Sequence, residues 1–298
     1  MTRTTDWDLY RCFLAVLQEG SLSAAARALG LTQPTTGRQI AALEAQLGVV
    51  LFTRSQSGLT PTDAALALRG HVEAMHNIAA SVERVAGGFG QAVSGSVRIS
   101  ASEVVGTEWL PPILAALRRD HPALEIELVL SNRVQDLVQR EVDIAVRMLP
   151  PQQDVLLATR VAAVHLGLYA RSDYLARRGL PAQIADLAQH DLIGFDVETP
   201  FLRAARAGYP IWARENFALR CDSDLAQLAL IRAGAGVGIC QVGVARRDAQ
   251  LVRLLPEALD IQLDTWVAMH ADLRNSPRCR VTFDALVSGL RAALAMAP

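Results

Sequence analysis

The stretch from Ser21 to Arg54, SLSAAARALGLTQPTTGRQIAALEAQLGVVLFTR, constrains the fold most. Two helical patterns meet at one short turn. Ser21 or Ser23 can cap the first, which buries Leu22, Ala25, Ala26 and Leu29. Gly30-Leu31 makes the turn, where glycine supplies a positive φ. Thr32 can cap the second helix, and Pro34 suits its first turn because it has no N–H to leave unpaired. Thr36, Ile40, Leu43 and Leu47 share one face of that helix, and Thr35, Arg38 and Ala42 share the other. Gln33 projects from its start.

The flanks extend the pattern. Leu9, Phe13, Val16 and Leu17 form the apolar face of a preceding helix, with Asp6 or Asp8 as its cap and Gly20 at its end. Gly48 closes the second helix of the pair. Val49 to Phe52 reads as a short strand, and Arg54 to Thr60 as a polar hairpin, or wing. The alanines alone would fit an ordinary three-helix domain. The ordered run of helix, glycine turn, Gln-Pro start, second helix and wing fits better a helix offered to the DNA major groove, where Gln and Thr bond base edges and Arg takes guanine or phosphate.

Four motifs, AAARALGLTQP, RQIAALEAQLG, LFTR and LTPT, resemble the N-terminal winged helix-turn-helix of LysR-type transcriptional regulators. The length and layout of the chain also fit that family. The resemblance implies an N-terminal all-α winged helix-turn-helix and a C-terminal two-lobed, periplasmic-binding-protein-like α/β domain. It implies DNA contacts at Gln33, Pro34, Thr35, Thr36, Arg38 and Arg54. Two departures stand out. Gly37 occupies the position before Arg38 where the family often has Ser, and Gln56 and Ser57 stand in a wing that is often more basic. Residues 1–60 hold five arginines against four acidic residues, so nonspecific DNA affinity is expected to be modest, with a shallow salt dependence.

Thr62 can cap a long helix reaching Ala86. Ala65, Leu68, Val72, Met75, Ala79, Val82 and Ala86 repeat at spacings of three and four, the pattern of a coiled-coil seam. Packing on the chain's own domain is the alternative. The seam predicts a dimer through Leu68, Val72, Met75, Ala79 and Val82, and the resemblance implies the linker helix through which such subunits pair, usually into a homotetramer. Two recognition helices can then read two half-sites of double-stranded DNA. The expected domains are 1–61 (DNA-binding), 62–86 (linker helix), 87–96 (a Gly/Ser-rich hinge, GGFGQAVSGS) and 97–298 (regulatory).

From Val97 strand and helix patterns alternate, which predicts α/β units on a largely parallel sheet. VRISA, LEIELVL and VDIAVRM read as strands, with a helix from Ser131 to Arg140 between the last two. HLGLYA (165–170) reads as a crossing into a second lobe that contains LIGF, FALRC, GVGIC and a helix from Ser223 to Ala233. TWVAMH (265–270) returns, and a helix from about Arg278 to Ala295 completes the first lobe. The lobes are expected at 97–164 with 267–298, and at 165–266.

Ligands collect at the carboxyl ends of parallel strands, near helix N-termini. That rule nominates Ser100, Ser102, Ser131, Asn132, Arg147, Asp196, Thr199, Asp222, Ser223 and Gln241 as effector-binding residues. Helix capping is the bland alternative for the serines, and an ion pair for Arg147. Hydroxyls and helix N-termini favour an anion, whereas Glu103, Asp196, Glu198 and Asp222 favour an amine. A small polar metabolite carrying both charges fits the mixture.

Composition bounds the rest. The 51% hydrophobic content supports packed cores, and the net charge of −1 gives no global attraction to nucleic acid. All 29 basic residues are Arg. Asp6, Asp8, Arg11 and Glu19 interrupt any apolar leader, no window is apolar enough to span a membrane, and the four cysteines lack metal spacing, so a bacterial, cytoplasmic protein with reduced thiols and no cofactor or metal is expected. GAGVG (234–238) follows a helix and lacks the third glycine of a dinucleotide fingerprint, and there is no GxSxG or Walker A motif. These absences argue against an α/β enzyme. The helix-turn-helix and the absent leader argue against a secreted solute-binding protein.

Overall fold

The computed structural model describes residues 6–55, 58–86, 93–132, 141–151, 153, 155–198, 202–203 and 208–295. Residues up to Glu83 form one compact unit, and the bulk of the chain from Arg84 forms a second.

The first unit contains α1 (Trp7–Glu19), α2 (Leu22–Leu29), α3 (Gln33–Leu47), the strands β1 (Phe52–Ser55) and β2 (Gly58–Pro61), and α4 (Asp63–Ala86). The side chains of Asp6, Ser21 and Thr32 each accept a backbone N–H in the first turn of the helix that follows, as the sequence suggests. Gly30 ends α2 at a φ of 67°. Cys12, Phe13 and Val16 of α1 pack with Ala25 of α2, Ile40 and Leu43 of α3, and Leu51 and Phe52. The expected strand at Val49 starts only at Phe52. Glu44 Oε1 accepts the N–H groups of Leu51 (2.7 Å) and Phe52 (3.2 Å), which fixes the preceding residues as a turn. β1 and β2 are antiparallel with Arg54 opposite Leu59. Gln56 and Ser57 lie outside the described residues.

Thr62 caps α4 through the Ala65 N–H at 3.3 Å. The first turns of α4 then differ from a partner-facing seam. Val72 is 1% exposed and belongs to the core of its own unit, and Leu68 packs against the same cluster. Val72 is therefore corrected from a subunit contact to intradomain packing, whereas Leu68 keeps part of its side chain at the surface. Further along, Met75, Ile78 and Val82 are exposed at 39%, 41% and 63%, and Ala79 is half-buried.

In the second unit β3 (Gly95–Ala101) runs parallel to β4 (Leu124–Leu130) and to β5 (Ile144–Arg147). β3 begins inside the expected hinge, of which residues 87–92 lie outside the described residues. A wide π turn, Val105–Trp109, leads from β3 into α5 (Leu110–Asp120). Residues 133–140 of the expected helix also lie outside. β6 (Leu156–Arg171) is one long strand, followed by α6 (Ser172–Arg178), β7 (Leu192–Gly194), β8 (Phe217–Arg220), α7 (Asp224–Arg232), β9 (Gly238–Gln241), the single turn α8 (Val242–Ala245), β10 (Leu251–Leu254), β11 (Ile261–His270) and α9 (Pro277–Ala295).

The main sheet has the order β10-β6-β11-β5-β3-β4, with β9 also on β6. It is mixed, which corrects the expectation of a largely parallel sheet. β6 leaves the first lobe and β11 comes back, so β11 enters antiparallel to both β5 and β6. Their register shifts between Thr265 and Trp266, and beyond that bulge the far half of β6 carries β9 and β10, both antiparallel. β7 and β8 form a separate parallel pair. One apolar cluster runs from Ile99, Leu110 and Leu286 through Trp109 to Ile231, Val242 and Val244, so the lobes share a core. A smaller cluster around Leu168, Tyr174, Leu192 and Phe217 lies in the second lobe alone.

Candidate functional site

Two places concentrate polar groups. In the first unit, the outward side of α3 carries Gln33, Pro34 and Arg38, all exposed. Arg38 Nε rests on the Pro34 carbonyl at 3.4 Å, a weak local bond that leaves the guanidinium at the surface. Thr35 is half-buried, and its hydroxyl is 2.9 Å from that of Thr32. Thr36 is 0% exposed, and its hydroxyl donates to the Thr32 carbonyl at 3.1 Å. It lies on the same buried face as Ile40 and Leu43, so it cannot be a contact to DNA, which corrects its nomination. Gly37 has room: an added Cβ would meet only Leu22 Cδ1, at 3.6 Å.

In the second unit, most nominated side chains meet where the lobes face each other. Arg147 Nη2 donates to Ser100 Oγ at 2.6 Å, and Nη1 donates to the Val146 carbonyl. Burial lowers the pKa of Arg147 to about 10. Ser100 is fully buried under it. The Ser102 hydroxyl is also buried, and it has no hydrogen-bond partner among the described residues. Asn132 Nδ2 donates to Asp224 Oδ2 at 2.7 Å, while its Oδ1 accepts the Glu103 N–H at 3.1 Å. Ser223 caps α7 and donates to Glu103 Oε2 at 2.8 Å. Gln241 Oε1 accepts the Trp109 indole N–H at 2.7 Å. Ser131, half-buried, donates its N–H to the Ala101 carbonyl at the end of β3.

Asp196 and Asp222 form a different group. Asp222 Oδ1 accepts the N–H groups of Asp196 (3.0 Å) and Val197 (2.9 Å), and Arg214 holds Asp196 Oδ1 at 2.6 Å. These bonds shape the loop after β7, so Asp222 acts there as a turn-forming residue. Thr199 lies outside the described residues. An open recess between α5 and β4, lined by Leu114, Arg118, Ile126 and Leu128, shares no residue with the nominated set.

Asp224 escaped the sequence reading. Burial, and then the nearby Glu103 carboxylate, raise its pKa to about 6, with the Asn132 amide acting the other way. Its position directly after a capping serine was the available signal.

The profile of the LysR substrate binding domain matches residues 90–291, and that of the bacterial regulatory helix-turn-helix protein, lysR family, matches residues 7–66. The chain belongs to the LysR family of transcriptional regulators. The HTH-type transcriptional regulator PtxR of Pseudomonas aeruginosa is 32% identical over 254 residues, covering 82% of this chain and 80% of PtxR. The probable regulator LtrA of Klebsiella pneumoniae is 26% identical, covering 92% of this chain and 91% of LtrA. Among solved structures, the Vibrio cholerae virulence activator AphB has a TM-score of 0.62 at 22% identity, covering 95% of this chain and 99% of AphB. CbnR complexed with its target DNA gives 0.65 at 21%, covering 97% and 99%. A LysR-type regulator joins a helix-turn-helix that binds DNA to a domain that responds to an effector, and this chain has both parts in that order. Among the described residues, no helix of this LysR-type regulator is long and apolar enough to cross a membrane.

Proposed function

We propose that Gln33, Pro34 and Arg38 read operator DNA from the start of α3, with Thr35 and the wing residue Arg54 assisting, and that a small polar metabolite controls this from between the lobes. The observation that carries the DNA reading is the division of α3. Thr36, Ile40 and Leu43 are buried, which leaves an exposed polar strip at the helix start that suits a groove. For the effector, the buried and unpartnered Ser102 hydroxyl supports a ligand group at the end of β3, because such groups rarely stay unsatisfied. Ser100, Ser131, Asn132, Arg147, Ser223 and Gln241 surround that reading, and Asp196, Thr199 and Asp222 belong to its outer limit. The effector acts by binding one lobe arrangement more tightly than another.

The exposed apolar residues Met75, Ile78 and Val82 of α4 support a homodimer, and pairs of dimers give the homotetramer that brings two recognition helices to paired half-sites. The protein works by binding, without catalysis, a cofactor or a metal, and in the cytoplasm where its DNA is. The test is anisotropy titration of DNA selected from random sequence by the wild-type protein. Arg38→Ala and Gln33→Ala each lower specific affinity about tenfold or more, in line with roughly 1–3 kcal/mol per base contact, at unchanged circular dichroism. Thr36→Val binds like the wild type. Equal binding by all three variants sinks the reading.

A further inference from the structure

Among the described residues, five of the polar contacts between the lobes fall on one segment, 103–109, which joins β3 to α5. At its start, Glu103 Oε2 accepts from Ser223 Oγ (2.8 Å) and from the Leu225 N–H (3.3 Å), at the beginning of α7. At its end, Glu108 Oε1 accepts from Arg232 Nη1 at 2.8 Å, at the last residue of α7. The Glu108 carbonyl accepts from Arg247 Nη1 at 2.7 Å, and the Arg247 guanidinium lies 4.0 Å from the centroid of the Trp109 ring. Trp109, 2% exposed, turns its indole N–H to Gln241. One short piece of the first lobe thus pins both ends of a helix of the second.

We propose that segment 103–109 is a clasp that holds the second lobe on the first, with Glu108 as its central residue. It works beside the nominated effector residues, and it does not depend on which molecule the effector is.

Three features support a clasp over incidental packing. The Glu108 carboxylate and the Arg232 guanidinium are 19% and 36% exposed, so solvent screens their attraction less than that of a surface pair. Removing either partner leaves a half-buried charge without its counterpart. The segment also has an uncommon geometry. Its π turn is a rare form that recurs at functional sites, and Gly106 lets it lie close to β4, where an added Cβ would require the Leu130 side chain to move. Finally, the segment couples its polar contacts to packing, because Val105 and Trp109 also enter the apolar core that the two lobes share.

The test uses the full-length protein without ligand and reads amide hydrogen exchange in α7, small-angle scattering and thermal unfolding. Glu108→Gln, Arg232→Gln and Arg247→Ala are each expected to speed exchange of α7 amides about tenfold. The radius of gyration rises, while the exchange of α3 stays unchanged. The charge-exchanged double variant Glu108→Arg with Arg232→Glu restores slow exchange. Arg247→Ala keeps the test open if a Glu108 variant does not fold. The clasp is overturned if α7 exchange and scattering match the wild type in these variants. It is equally overturned if α7 exchanges only by global unfolding at a lowered thermal midpoint, or if the double variant behaves no better than the single ones.

Discussion

The starts of α3 and α7 use the same local chemistry to opposite ends. Each helix is capped by a hydroxyl, Thr32 in one and Ser223 in the other, and each cap is followed by a polar residue, Gln33 or Asp224. At α3, Gln33 and the neighbouring Pro34 are exposed, with only the weak bond from Arg38 to the Pro34 carbonyl nearby. At α7 the capping serine and Asp224 are already bonded to Glu103 and Asn132 of the facing lobe. An open helix start is ready for an external partner such as DNA. An occupied one must give up bonds before it accepts anything new, which makes it a better controller than receptor.

Three sets of measurements break or sharpen this contrast. The largest effect is expected at α4, through which the proposed dimer would form. Val72→Ala removes two methyl groups from a closed core and destabilises the N-terminal unit by about 2 kcal/mol. Val82→Ala leaves stability unchanged and weakens self-association in analytical ultracentrifugation. If Val72→Ala weakens association without loss of stability, the assignment of that position to the intradomain core is wrong.

Next is pH. The folded pKa of Asp224, about 6, stands above its ordinary 3.8, so the folded state holds the proton more tightly than the unfolded one. Its contribution is neutral well below 3.8. It becomes unfavourable as pH rises through 3.8 to 6 and stays so above. Acidification from pH 7 to pH 5 therefore relieves a cost at the start of α7, by up to about 1.4 kcal/mol per pH unit inside that window. Asp224→Asn flattens the response in denaturant melts of the regulatory unit, while the start of α3, with no acidic residue in its first turn, supplies no such term. A variant with the same pH profile as the wild type removes Asp224 as its source.

The smallest effect belongs to Gly37. An alanine there meets only one methyl at contact distance, so Gly37→Ala stabilises α3 by about 0.5–1 kcal/mol through reduced chain entropy. A thermal midpoint that falls shows that the backbone of α3 needs glycine at that turn.

The first unit was legible almost residue by residue, because caps, glycine stops and apolar spacing are local signals. Asp6, Ser21, Thr32 and Gly48 sit where their chemistry places them. Local spacing misled where two surfaces compete for one apolar face. Val72 satisfies a heptad equally well whether it meets a partner or the core of its own unit, and only the packing decides. Thr36 was nominated by family resemblance against its own periodicity, and the periodicity was right. In the second unit the strands were readable, but the antiparallel insertion of β11 was not, since pairing between distant segments leaves no mark in either one. The residues nominated from strand ends divided similarly. Ser100, Asn132, Ser223 and Gln241 came together between the lobes, whereas Asp196 and Asp222 turned out to shape a loop. Glu103 and Trp109 matter because of what lies across the gap, which a linear pattern does not contain.

The placement of β11 also has a consequence for biosynthesis. β5 and β6 are made well before the strand that fills the space between them. Until Ile261–His270 leaves the ribosome, both carry an open edge of unpaired backbone groups facing that gap. The nascent chain is then at its most aggregation-prone and most in need of a chaperone. The DNA-reading unit, built from neighbouring segments, is finished long before. Synthesis thus delivers a folded anchor first and leaves the sensor open until its last strand.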